Sequence, residues 1–126
     1  MLEPADAELI DRARSLIAQR YKLDHHHVGA SLRTRSGQIH TAVHLEAYVG
    51  RVAVCAEAIA LGMAAAGGDT EVEVVVAVDR QGRVVAPCGM CRELLSDYAP
   101  SCRVIVGEEE VVAISALLPQ KYRRQE

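Results

Sequence analysis

The chain has no tryptophan and no phenylalanine, and only four tyrosines among its 126 residues. Its core must therefore be built from Val, Leu, Ile and Ala, which suits tight packing of helices on a sheet. The same shortage leaves few aromatic faces on which nucleic-acid bases could stack. No apolar run approaches the 18 residues of a membrane span; residues 74–78, Val-Val-Val-Ala-Val, are strand-sized. A signal peptide is also missing, so a cytoplasmic protein is expected. There is no long basic stripe either. Net charge is −3 and the one basic cluster, Lys121, Arg123 and Arg124, lies in the tail. Polynucleotide binders need a positive groove, so the expected partner is a small molecule rather than nucleic acid or membrane. Linkers, repeats and low-complexity stretches are lacking too, which points to one domain over residues 1–126. At this length folding buries roughly two-thirds of the surface of the unfolded chain. The 50% hydrophobic content makes a core without disulfide staples feasible and hints at buried subunit contacts.

Pattern supplies the layout. Leu9, Ile10, Ala13, Leu16 and Ile17 recur at helical spacing after Pro4, which suits a first helical turn. Val28, Ala30 and Leu32 alternate with Gly29, Ser31 and Arg33, and Ser36-Gly37 turns the chain back through residues 38–43 as a hairpin. Residues 45–53 read as a loop and 55–66 as a helix stopped by Gly67-Gly68. Gly62 inside that helix costs about 1 kcal/mol of propensity, so close packing is expected there. Residues 72–78 read as a central strand covered on both faces. Gln81-Gly82 turns the chain, and residues 88–98 form a helix ended by Pro100. Residues 104–106 and 111–113 pair as a hairpin, because the short link between them forbids a parallel crossover. A short helix follows near 114–118. The fold class is α/β: a five-stranded mixed sheet with an antiparallel last strand pair and helices on both faces.

The chemistry concentrates in Cys55-Ala56-Glu57 and Pro87-Cys88-Gly89-Met90-Cys91. Cys88 and Cys91 are three apart at a helix start and point the same way; Cys55 opens the other helix. Helix N-termini stabilise thiolates. Three thiolates can hold Zn2+ with the fourth tetrahedral corner left for water. Glu57, two residues from Cys55, is badly placed as a fourth ligand and well placed as a base. Cys-x-x-Cys also fits a redox pair, but that reading leaves Cys55 and Glu57 unexplained. A closed structural zinc site needs a fourth ligand; the remaining cysteine, Cys102, opens a strand and reads as a buried thiol. Pro87 restrains Ala86 to extended backbone, which leaves the Ala86 carbonyl and the Cys88 amide near the substrate edge.

Both motifs match the zinc deaminases of nucleobases, with Cys in place of the usual His. Together with His26-His27-Val28-Gly29-Ala30, residues 42–57, residues 85–100, and the closing Leu118-Pro119 and Lys121-Tyr122, they make the chain resemble the cytidine deaminase superfamily, most of all its bacterial blasticidin-S deaminase branch. The resemblance implies a three-layer α/β/α sandwich and a homotetramer whose sites are completed by neighbouring subunits. It implies zinc on Cys55, Cys88 and Cys91, with Glu57 carrying protons from water to the ring nitrogen and the leaving amine. The substrate it implies is a free cytosine nucleoside or a nucleoside antibiotic that loses its 4-amino group. Ordinary cytidine or deoxycytidine salvage, or another amino-substituted base, is the alternative. Nucleoside deaminases hold the sugar with an Asn-x-Glu segment; here it reads His44-Leu45-Glu46. His44, Glu46, Ala56, Ala86 and Tyr122 are the candidate substrate contacts. Tyr48 is a further aromatic candidate, and His26 or His27 is expected near the pocket or in a loop entering the first strand. Where the tetrameric enzymes carry Arg after Cys-Ala-Glu, this chain has Ala58, so Arg92 or Arg51 is expected to offset the charge of the thiolates.

Overall fold

The computed structural model describes residues 2–125. In chain order the elements are α1 (Pro4–Arg20), β1 (Val28–Thr34), β2 (Ile39–Val43), α2 (Ala56–Ala66), β3 (Val72–Asp79), β4 (Val84–Val85), α3 (Gly89–Tyr98), β5 (Arg103–Gly107) and β6 (Glu110–Ala113). Single 3-10 turns occupy Gly50–Val52 and Ile114–Leu117. The sheet runs β2-β1-β3-β5-β6. Among the described residues only β3 and β5 pair in parallel, through the α3 crossover; β5 and β6 close the sheet as an antiparallel pair.

The sheet has six strands rather than the expected five. The addition is β4, two residues that pair with the end of β3 at Ala77 and Val78. Two residues carry no period, so alternation could not reveal them. The expected loop over residues 45–53 is also partly ordered, by the 3-10 turn and by a Leu45–Val54 bridge.

Continuous valine in β3 makes the layering. Val74, Val76 and Val78 pack against Leu9, Ile10, Ala13 and Ile17 of α1. Val75 joins Ala60, Leu61 and Ala64 of α2 and Leu95 of α3 on the other face. Val72 has the parity of the α1 face yet belongs to the α2–α3 cluster. The reason is a bulge: Arg33 pairs with Val74 and Thr34 with Val72, which leaves Glu73 as an extra residue. One extra residue reverses which face its predecessor meets.

The close packing expected at Gly62 is absent. A Cβ built there meets nothing within 4 Å. The tight site is Gly29, where a Cβ would lie 2.8 Å from the Ala13 carbonyl oxygen and 3.1 Å from Ile17 Cβ. A hydrogen at that position is what lets α1 settle onto β1. Asp6 fastens the start of α1 to the same sheet: its buried carboxylate takes Arg33 Nη2 at 3.2 Å and Arg103 Nη1 at 3.3 Å.

Candidate active site

Two helices on one face of the sheet begin side by side, and both begin on a cysteine. Cys55 is the N-cap of α2 and Cys88 the N-cap of α3, each with extended backbone and no side-chain capping bond. Their sulfurs lie 3.3 Å apart. Cys91, in the first turn of α3 and 1% exposed, completes a trio whose sulfurs all lie within 4.8 Å of one another. Zn–S bonds of about 2.3 Å set the sulfurs of a tetrahedral site roughly 3.8 Å apart. A 3.3 Å pair with the third sulfur within 4.8 Å of both is compatible with that value, so the donor set fits a zinc ion.

Burial and mutual repulsion decide how these sulfurs ionise without a cation. Burial raises Cys55 to about 11, with the Cys88 sulfur reinforcing the rise. Burial also raises Cys91, helped by the nearby Glu57 charge. Cys88 moves the other way. Burial opposes its ionisation, but the Cys91 backbone N–H, the other two thiols and the Met90 N–H outweigh it. Those amides are the orphan donors of the α3 N-terminus. Glu57, in the first turn of α2 and 6% exposed, is held above the usual carboxylate range by burial. A carboxyl raised in this way holds a proton more readily than an exposed glutamate does, as a group that takes up and releases protons must.

The cavity beside the sulfurs holds about 170 Å3 and is lined by Val28, His44, Cys55, Ala56, Glu57, Val85, Ala86 and Cys88. Of the candidate substrate contacts, His44, Ala56 and Ala86 are therefore at the wall. Val28 and Val85 also line it and were not singled out from sequence; Val85 reaches the wall because β4 carries it there. Glu46 does not line the cavity; its Oε2 lies 3.9 Å from Nε2 of His44, which does. Tyr122 is outside this cavity, 77% exposed in a groove with Glu93, Asp97 and Tyr98. Tyr48 points fully into solvent, and Arg51 is exposed in its 3-10 turn. His26 Nδ1 lies 2.9 Å from the His44 carbonyl oxygen.

His27, His44 and Glu46 form a second group close enough to hold a metal, but the histidine protons are in the wrong place. His44 Nδ1 accepts the backbone N–H groups of His27, at 2.7 Å, and Val28, at 3.2 Å. His27 Nε2 accepts the Asp24 N–H at 2.9 Å. A backbone amide only donates, so these ring nitrogens carry no proton and the neutral rings carry it on the other nitrogen. A metal-ligating histidine shows the reverse, donating from its second nitrogen. His44 therefore presents Nε2–H as a fixed donor. Burial, and next the neighbouring His27 ring, keep its pKa below the ordinary value.

Comparison with known proteins gives a consistent picture. The profile described as "Cytidine and deoxycytidylate deaminase zinc-binding region" matches residues 4–108. The chain is 49% identical over 130 residues to blasticidin-S deaminase of Bacillus cereus, covering 94% of this chain and 93% of that protein. The crystal structure of cytidine deaminase from Mycobacterium leprae superposes with a TM-score of 0.81 at 28% identity, covering 90% of this chain and 97% of that one. The cytidine deaminase structure from Burkholderia pseudomallei gives 0.78 at 26% identity, covering 92% and 98%.

Proposed function

Because the chain belongs to the cytidine and deoxycytidylate deaminase family, we propose that its 126 residues form one zinc-dependent aminohydrolase domain that removes the 4-amino group of a free cytosine nucleoside or a blasticidin-like nucleoside antibiotic. The observation that carries this reading is the trio of sulfurs at two helix starts, with the buried Glu57 carboxyl beside them.

Cys55, Cys88 and Cys91 hold Zn2+. Bound there, zinc acidifies water and makes hydroxide available at neutral pH. Glu57 does the proton work. Its carboxylate takes a proton from the attacking water, delivers it to the ring nitrogen beside the amino-bearing carbon, and then protonates the departing amine as ammonia. The Ala86 carbonyl faces the amino group, and Ala56 and Cys88 close the wall against the ring. A cavity of about 170 Å3 is below the usual range for whole-ligand pockets, roughly 300–1,000 Å3. It takes the base, and the rest of the substrate extends over the rim toward His44 and Glu46. His44 donates and Glu46 accepts, a pairing suited to a sugar hydroxyl or to the amide-bearing ring of an antibiotic.

Two features support assembly into a homotetramer. Gly62, Met63, Ala65 and Ala66 make an exposed apolar face on α2, and Tyr122 is exposed and outside its own cavity, which leaves it free to meet a neighbour. Four free thiols suit the reducing cytoplasm, and no helix among the described residues is long and apolar enough to cross a membrane. The net charge of −3 and the lack of a basic stripe suit a free nucleoside rather than a polynucleotide.

Ordinary salvage of cytidine is the competing reading, and His44 in place of Asn weighs against it. Ammonia release measured over cytidine, deoxycytidine and blasticidin S decides between them; a kcat/KM that favours cytidine overturns the antibiotic assignment. Glu57→Gln should keep about one zinc per chain and lose ammonia release by about 100-fold to 10,000-fold. Loss of the metal in that variant would contradict the proton-carrier role.

A further inference from the structure

The start of α3 is held by a residue inside the helix. With Cys88 at the N-cap, the turn that presents it carries a sulfur where an oxygen cap would ordinarily fix it. Arg92, one turn further on and half-buried, reaches back: its Nε donates to the Pro87 carbonyl at 2.8 Å. Its Nη1 donates to the Leu117 carbonyl at 3.2 Å. One planar guanidinium thus ties the residue before Cys88 to the 3-10 turn near the end of the chain.

That turn is a firm post. Ile114 within it is 1% exposed and packs in the cluster that contains Leu95 of α3. Further along, Lys121 Nζ donates to Ser96 Oγ at 2.9 Å and pairs with Asp97. The closing segment is therefore fastened to α3 near both ends of the helix. Both Arg92 bonds go to neutral carbonyls rather than to a sulfur, so the geometry favours bridging over neutralising thiolate charge.

We propose that Arg92 is a positioning residue that holds the Pro87–Cys88 turn against the closing segment and thereby sets how long the site retains its metal. This rests on the reading that Cys55, Cys88 and Cys91 bind zinc. A fork that grips two carbonyls is a property of guanidinium that a lysine ammonium does not reproduce, so Arg92→Lys keeps the charge and the aliphatic stem while losing the bridge.

The test is zinc release from the loaded protein to a chromogenic chelator, for wild type, Arg92→Lys and Arg92→Gln, with the melting temperature of each zinc-free protein measured alongside. Release should be about 10–100-fold faster in both variants, with zinc-free melting unchanged. Wild-type release from Arg92→Lys would overturn the proposal, because charge alone would then suffice. A fall in zinc-free melting that tracks the faster release would also overturn it, in favour of general destabilisation. A wild-type protein that takes up no zinc would overturn the underlying metal reading instead. Arg92→Lys, the milder change, decides the matter if Arg92→Gln does not fold.

Discussion

The sulfurs of Cys55 and Cys88 lie 3.3 Å apart although 33 residues separate them in sequence. Two thiols this close need a cation between them or else become each other's partner. Zinc removal should expose the pair: diamide should take two electrons from the zinc-free protein and leave a Cys55–Cys88 disulfide, found by peptide mapping. Zinc loading should block it. Equal oxidation with and without zinc would mean that these sulfurs do not hold the metal.

His44 should stay neutral where free histidine charges. Its folded pKa lies below the ordinary 6.5, so the unfolded chain binds the extra proton first. The stabilising contribution is complete above pH 6.5 and is lost as pH falls toward the folded value. Nitrogen NMR should find the proton on Nε2 with no titration between pH 7 and 8; a proton on Nδ1 would refute the assignment. His44→Asn should shift kcat/KM toward cytidine relative to blasticidin S.

Two glycines should respond in opposite ways. Gly29→Ala puts a methyl 2.8 Å from the Ala13 carbonyl oxygen and should destabilise by about 1–3 kcal/mol, read by urea unfolding. Gly62 faces open space. Gly62→Arg should leave the subunit folded, yet dissociate the proposed homotetramer in sedimentation. A variant that sediments like wild type would remove the α2 face from the interface.

Asp6→Asn should cost about 1–3 kcal/mol, because it removes the buried carboxylate that accepts from Arg33 and Arg103, while Arg33 keeps Glu73 and Arg103 stays partly solvated. The Asp6 carboxyl is kept below the ordinary 3.8: burial opposes this, but the Arg103 and Arg33 hydrogen bonds prevail. Stability from this cluster is therefore present above pH 3.8 and lost as pH falls below it. Acid titration of wild type and variant should converge at the low end.

The sulfur site was legible because its parts are local: an N-cap cysteine and a residue three further on share a side by helix geometry alone, and Cys55 needed only a second helix start. The valine run in β3 likewise announced two covered faces. It could not announce the Glu73 bulge, since a strand of valines reads the same with or without a reversal at Val72. Gly62 misled because its propensity cost says that something compensates without saying whether it lies in the same chain. The Arg92 bridge depends on Leu117, 25 residues away, and no local pattern encodes it.

Both helices that meet at the cavity begin on a sulfur where an oxygen would ordinarily close the first turn. A cation seated among the three sulfurs would keep them as thiolates, which are acceptors for the first-turn N–H groups of both helices. Metal loading would then be coupled to the first turns of α2 and α3, and on the zinc reading the amides of residues 57 and 91 should lose protection from hydrogen exchange together when the ion is removed.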